Sequence, residues 1–311
     1  MSMVKNEQVL FEPSITFAKV CGNVTEVTEM RNIPRPTMVN ISKDYMMNLG
    51  TGEIVEKVHT ANRSEGEQSV KRTLKKIRDL VNANCTSPDN LHWITLTYAD
   101  NMTDPKRLYS DFGAFWKRFC RFCKCKEYKI PEYIAVAEPQ GRGAWHMHLI
   151  LIWNGSPPYI PNDAELFPLW GQGWTKIERV YNCDNIGAYF SAYLADIDIT
   201  EDEGLKDMPV DDVHVIEKVS KGKKKKILKG GRLSLYPTGM NIVRHSRGCK
   251  QPIIENGIQA KEKASAGTET YSQTFAVYDD DGQIVNVIRK TYYNAVRGKS
   301  ATAKPKNDVK E

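Results

Sequence analysis

Two histidines, His146 and His148, stand two residues apart in the apolar stretch 145–153. In an extended chain alternate side chains share a face, so both imidazoles project to one side while Met147, Leu149 and Leu151 project to the other. Two imidazoles aimed at one point can share a metal ion; they can equally be two hydrogen-bonded histidines. Glu138 ends the preceding extended run, and the six-residue loop 139–144 returns the chain beside it, within reach of the same ion. Two neutral nitrogens and one carboxylate oxygen on a rigid scaffold would leave open coordination positions for a substrate. Further on, Tyr189 and Tyr193 are four residues apart, so on a helix both phenols emerge on one face about one turn from each other. Such pairs are often packing residues. As a nucleophile a tyrosine needs local activation, because its ordinary pKa is about 10. A metal and two tyrosines together would suit attack on a phosphodiester: the ion draws charge from a non-bridging oxygen, and a phenolate displaces a sugar oxygen.

These residues need elements to hold them. The runs 91–98, 132–138, 145–153 and 174–180 read as strands, and the short, glycine-bearing loop 139–144 makes the second and third an antiparallel hairpin. Asp104 followed by Pro105 predicts the start of a helix whose Leu108, Phe112, Phe115, Phe119 and Phe122 recur at helical spacing. That aromatic stripe is core, and it implies a helix lying across a sheet. A helix over 69–84 buries Val70, Leu74, Ile77 and Val81. Its opposite face carries Lys71, Arg72, Lys75, Lys76 and Arg78, either solvated or set against phosphates. Asp184 can cap a helix over 185–196 that carries the tyrosines.

Composition narrows the function class. The 311 residues are 41% hydrophobic and 26% charged, an ordinary globular balance that excludes a disordered or collagen-like chain. The longest purely apolar run, 149–153, is far short of a bilayer span, and the amino-terminal residues lack the pattern of an export signal. Seven cysteines at irregular positions, without such a signal, read as reduced thiols in a cytoplasmic protein. Cys120, Cys123 and Cys125 have no second pair at a zinc-knuckle interval and read as structural. His92, His214 and His245 have no evident partners in the sequence. No phosphate-binding loop of the G-x-x-x-x-G-K-[ST] type occurs, so the chain carries no helicase motor of that kind. The net charge of +6 permits a polyanionic partner without demanding one.

Taken together, ITLTY at 94–98, Glu138 with GRGAWHMHLIL at 141–151, and NIGAYFSAYLAD at 185–196 closely resemble the three motifs of the HUH endonucleases. Their order is that of rolling-circle replication initiators. The likeness extends over 62–84, 101–119 and 232–252, and is strongest to initiators of Gram-positive plasmids and mobile elements. It covers about residues 35–255.

The resemblance implies an α+β domain with a central antiparallel sheet flanked by helices, binding Mg2+ or Mn2+. On softness alone the ligand set would also suit Zn2+. It implies His146, His148 and Glu138 as ligands and Tyr189 or Tyr193 as nucleophile, leaving a 5′-phosphotyrosine and a 3′-hydroxyl that primes synthesis. Many single-tyrosine relatives carry a lysine four residues from the nucleophile, where this chain has a second tyrosine. The partners it implies are origin DNA, single-stranded or supercoiled duplex, and a host helicase and DNA polymerase. Transposases and mobilisation nucleases share the chemistry, although relaxases typically place the tyrosine before the histidines. A non-catalytic origin-binding repressor is the alternative of another class.

Around the nuclease domain at 61–200 the sequence predicts an amino-terminal arm with one hairpin over 1–60 and a disordered tail over 298–311. Between them, 201–297 holds an acidic linker, a lysine-rich segment and a carboxy-terminal hairpin. Composition marks the break: 196–212 holds eight acids and one lysine, whereas 218–229 holds seven lysines and no acid. Expected DNA contacts are Lys71, Arg72, Lys75, Lys76, Arg142 in the hairpin loop, and Lys223, Lys224, Lys225 and Lys226. Asp281-Gly282 between alternating apolar runs predicts the turn of the last hairpin.

Overall fold

The computed structural model describes residues 3–5, 11–33, 36–57, 67–140, 143–181, 183, 185–195, 197–198, 215–220, 223–228, 232, 235–237, 239–279 and 281–297. The chain forms two compact units, one of Met1–His59 with Pro252–Glu311 and one of Thr60–Gln251.

The first unit begins with β1 (Met3–Lys5), β2 (Ile15–Cys21) and β3 (Val24–Met30). β2 and β3 form a hairpin that turns at Gly22, whose φ of 57° suits a residue without a Cβ. β4 (Met38–Asn40), β5 (Tyr45–Asn48) and β6 (Ile54–Glu56) follow as an antiparallel meander. The β5–β6 pair is the hairpin expected in the arm; Asn48 closes its turn by accepting from the Gly50 amide at 2.8 Å.

The second unit carries the candidate residues. Its elements are α1 (Glu67–Asn84), β7 (Leu91–Thr97), α2 (Pro105–Cys125), β8 (Glu132–Pro139), β9 (Trp145–Ile152), α3 (Phe167–Trp170), β10 (Thr175–Arg179) and α4 (Ile186–Ala195). β11 (Ile197–Asp198), β12 (Val215–Ser220), β13 (Lys223–Leu228) and β14 (Val243–His245) complete it. Five strands make an antiparallel sheet in the order β10-β7-β9-β8-β14. Helix α2 starts as its sequence predicts: Asp104 accepts from the Lys106 amide at 2.8 Å and Pro105 takes the first turn. Its Leu108, Phe112, Phe115 and Phe119 are buried, and Phe112 and Trp116 pack on Tyr133 of β8. Tyr133 pairs with Leu151, so α2 covers the sheet face built from Met147, Leu149, Leu151, Ile94 and Leu96. Fully burying each such side chain stabilises the unit by roughly 1.5–3 kcal/mol.

The lysine-rich segment is more ordered than its composition suggests. Lysine is sparse in strands, yet β12 and β13 pair in register, with Glu217 opposite Lys226 and Ile216 opposite Ile227. Cross-strand pairs of opposite charge and of β-branched residues offset the low propensity. The acidic linker lies almost wholly outside the described residues, and so does the tail over 298–311.

The chain then returns to the first unit through β15 (Ile253–Asn256), α5 (Ile258–Ser265), β16 (Thr268–Tyr278) and β17 (Ile284–Asn294). The carboxy-terminal hairpin β16–β17 is longer than its predicted 274–290 and pairs with the amino-terminal strands in a six-stranded sheet, β1-β16-β17-β3-β2-β15. Glu29, buried in this sheet, would be driven up in pKa by desolvation. Arg289 and Lys261, each at 2.8 Å, overcome that and hold it below its ordinary value.

Candidate metal centre

The register of the sheet brings the predicted ligands together. Glu138 of β8 is the cross-strand partner of His146 on β9, and His148 lies opposite Val136 on β8 and Thr95 on β7. All three side chains therefore leave the face that α2 does not cover. Their ligand atoms lie within 4.8 Å of one another, the only such His, Cys, Asp or Glu group of three among the described residues. His148 is fully buried and Glu138 is 2% exposed.

Glu138 divides its two oxygens. Oε2 faces both imidazoles, bonded to His148 Nε2 and 3.8 Å from His146 Nδ1. Oε1 takes an ion pair from Arg232 at 2.8 Å. Burial pushes the Glu138 carboxyl up, but His148, Arg232 and His146 outweigh it and keep the pKa below the ordinary carboxylate value. On the far side of His148, Nδ1 lies 3.3 Å from Thr95 Oγ1. With Nδ1–H donated to that hydroxyl, the Nε2 lone pair points at the Glu138 side, the orientation a metal-bound imidazole requires. The group fits a single divalent cation: two imidazoles and one carboxylate on adjacent strands, converging from one face, with an orienting partner behind His148 and another behind Glu138.

Arg232 was not among the sequence candidates. It comes from a segment without periodicity, and it also donates to the Pro139 carbonyl at 3.0 Å. Buried Tyr236 donates to the Ala137 carbonyl at 3.0 Å, and the Ala137 amide donates to the Ile242 carbonyl at 3.0 Å. These bonds tie the segment to the outer edge of β8 ahead of β14. The one available signal was that this stretch falls inside the family resemblance.

Helix α4 lies over the same sheet face. Asn185 accepts from the Ala188 amide at 3.0 Å and so performs the capping expected of Asp184, which lies outside the described residues. The buried side chain of Asn82 on α1 accepts from the Gly187 amide at 2.8 Å and donates to Asn185 Oδ1 at 3.0 Å. A Cβ at position 187 would run into the Arg78 carbonyl, so glycine is what allows α1 and α4 to approach this closely. Phe190 is buried against Trp93, with ring centroids 4.8 Å apart. Tyr189 points outward, 59% exposed, its ring 5.6 Å from Trp93, which in turn sits 6.1 Å from His148. One tryptophan thus bridges the ligand group and the candidate nucleophile.

Residues 91–198, from β7 through β11, match the family model of a replication-associated protein of the ORF2 type. The match supports a replication-initiator role. No curated protein and no solved structure matches the chain. The matched span contains all three ligand candidates and both tyrosines, whereas Arg232 falls beyond it.

The remaining candidates divide. Tyr193 is on α4 by its backbone, but its side chain lies outside the described residues. Arg72 and Lys76 are exposed on α1 and Lys75 is half-buried. Arg142, the Lys71 side chain and the side chains of Lys223, Lys224, Lys225 and Lys226 lie outside the described residues. All seven cysteines are free, and burial pushes Cys123 up to about 12, in keeping with an inert structural thiol. No helix among the described residues is long and apolar enough to cross a membrane.

Proposed function

We propose that this protein initiates rolling-circle DNA replication by nicking one strand at an origin and later rejoining it through a 5′-phosphotyrosine. The observation that carries the reading is the convergence of Glu138, His146 and His148 on the sheet face over which α4 holds Tyr189. A Mg2+ or Mn2+ ion held by these three ligands would withdraw charge from a non-bridging oxygen of the scissile phosphate.

The chain's own residues do the rest. Arg232 and Thr95 hold Glu138 and His148 in the geometry that receives the phosphate. Tyr189 Oη attacks phosphorus, forming the Oη–P bond as the P–O3′ bond breaks. The phenol gives up its proton and the departing 3′ oxygen takes one up, leaving a free 3′-hydroxyl for a host polymerase. Tyr193, one turn further along α4, is the partner for the second strand transfer, since only one phenol can be in line with the leaving oxygen at a time. Arg72, Lys75, Lys76 and the lysines at 223–226 supply affinity for phosphates without choosing sequence. With no phosphate-binding loop of its own, the protein relies on a host helicase to open the duplex.

The test is incubation of the full chain with supercoiled DNA of the parent replicon and Mn2+. The expected products are relaxed circles and a covalent protein–DNA adduct, both lost with EDTA. Tyr189→Phe and Tyr193→Phe, singly and together, followed by sequencing of the trapped peptide, assign the order of attack, with Tyr189 expected first. A non-catalytic origin-binding factor would give neither product, and undiminished capture in the double variant would remove tyrosine chemistry.

A further inference from the structure

The sheet face that carries the metal ligands does not end at Trp93. Beyond it, where β10 runs into α4, lies a cleft of about 390 Å³ lined by Trp93, Glu178, Arg179, Tyr181 and Tyr189. The pairing of β10 with β7 sets Glu178 directly across from Trp93, on the same face as His148. Tyr189 is therefore shared: its ring forms one wall of the cleft and its hydroxyl belongs to the proposed reaction. Whatever enters this cleft lies next to the atom being attacked.

The lining says what that occupant is. Tyr181 is 67% exposed and Tyr189 59%, so two phenol rings are turned to solvent in a concave surface. Exposed aromatic rings in a cleft are stacking surfaces for flat π-systems. The charged groups argue against a phosphate as occupant. Glu178 brings a carboxylate to the lining, next to the Arg179 guanidinium, and is paired with Lys176 at 2.9 Å. A carboxylate repels a phosphate but accepts hydrogen bonds from an exocyclic amino group of a base. Arg179 is already oriented by donating to Ser156 Oγ at 3.1 Å.

We propose that this cleft is a nucleobase pocket, which takes one unpaired base flanking the scissile phosphate, stacks it on Tyr181 and reads its amino edge with Glu178. The inference rests on the nicking reading for the identity of the strand, and it gives that reading a specificity determinant outside the ligand and nucleophile set. A base lodged there fixes the register of the strand, so that one phosphate and not its neighbour meets Tyr189.

The test separates the two readings. Binding of the full chain to labelled oligo-dC and oligo-dT of equal length is measured by fluorescence anisotropy in EDTA, where no cleavage is expected. The wild type is expected to prefer oligo-dC, which offers an amino group, over oligo-dT, which offers none. Tyr181→Ala should weaken both on the order of tenfold, with Tyr181→Phe close to wild type. Glu178→Gln should narrow the preference for oligo-dC, whereas a general charge effect would move both affinities together. Equal binding by the wild type and Tyr181→Ala overturns the pocket, as does failure of the wild type to bind either oligonucleotide. Nicking of supercoiled DNA is scored in parallel. A chain that nicks but is indifferent to Tyr181 loses the pocket and keeps the nuclease; one that binds through Tyr181 but never nicks keeps the pocket and loses the nuclease.

Discussion

The two faces of the five-stranded sheet are built by the same strands and share almost no chemistry. On the face under α2, β7 and β9 present Ile94, Leu96, Met147, Leu149 and Leu151, buried against Phe112, Phe115 and Phe119. One residue along each strand, the opposite face presents Trp93, Thr95, Thr97, His146 and His148, with Glu138 beside them on β8. The period of two thus separates cohesion from reactivity: one face anchors the backbone, and the backbone in turn holds the ligand group without side-chain flexibility of its own. The same residue type behaves differently on the two sides. His148, on the ligand face, meets a carboxylate and a hydroxyl. His92, on the α2 face, is buried edge-on to Trp153, opposite Leu151 and Arg179.

The separation can be broken from either face. Replacing His146 and His148 together by Ala should abolish metal-dependent nicking, about a thousandfold or more, because the lost ligands remove several kcal/mol of charge stabilisation. Melting should change far less than activity, and full nicking by the double variant would refute the ligand assignment. Phe115→Ala is the converse, removing a fully buried ring from the other face. It should cost about 3–5 kcal/mol in denaturant unfolding while the surviving folded molecules retain their Mn2+ affinity. Loss of Mn2+ binding in proportion to stability in both variants would mean that the two faces are not independent.

A smaller effect tests what orients the ligands. Arg232→Met removes the cation at 2.8 Å from Glu138 Oε1 and leaves the carboxylate free to turn from the histidines. Mn2+ affinity, followed by calorimetry, should fall by about 10- to 100-fold, with Arg232→Lys in between. Tighter binding in the Met variant would show that Arg232 acts mainly as a competing positive charge.

Arg232 also marks where the sequence was hard to read. The strands 91–97, 132–139 and 145–152, and helix α2, were legible because each carries its own period, and the ligand face follows from two of those strands and one short loop. Nothing local links residue 232 to residue 138, and the bond between them is visible only once the segment is laid along the edge of β8. The same holds for residues 1–60, read as an arm with one hairpin. The Gly22-Asn23 turn between two β-rich runs was a hairpin signal of the same kind as Asp281-Gly282. That this hairpin completes a sheet with β17 is a pairing over more than 250 positions, which no window on the sequence contains. Tyr181 and Glu178 were passed over because exposed aromatics and charges at strand ends have no periodic signature.

His92 supplies the smallest and most specific test of the contrast between the faces. Its burial, with a further push from Arg179, lowers the pKa from 6.5 to about 4. A histidine depressed in this way stays neutral in the folded chain while the unfolded chain takes up a proton below about 6.5. The stabilisation is thus present above about pH 6.5 and is lost as pH falls towards 4, where the folded form protonates as well. Between about pH 7 and pH 5 that single group should remove about 1–2 kcal/mol of stability. Denaturant titrations of the wild type and His92→Phe at the two pH values measure it. The variant should lose less stability on acidification, since phenylalanine keeps a ring against Trp153 and has no proton to gain. An identical loss in both proteins would assign the acid sensitivity to other groups and leave His92 as packing alone.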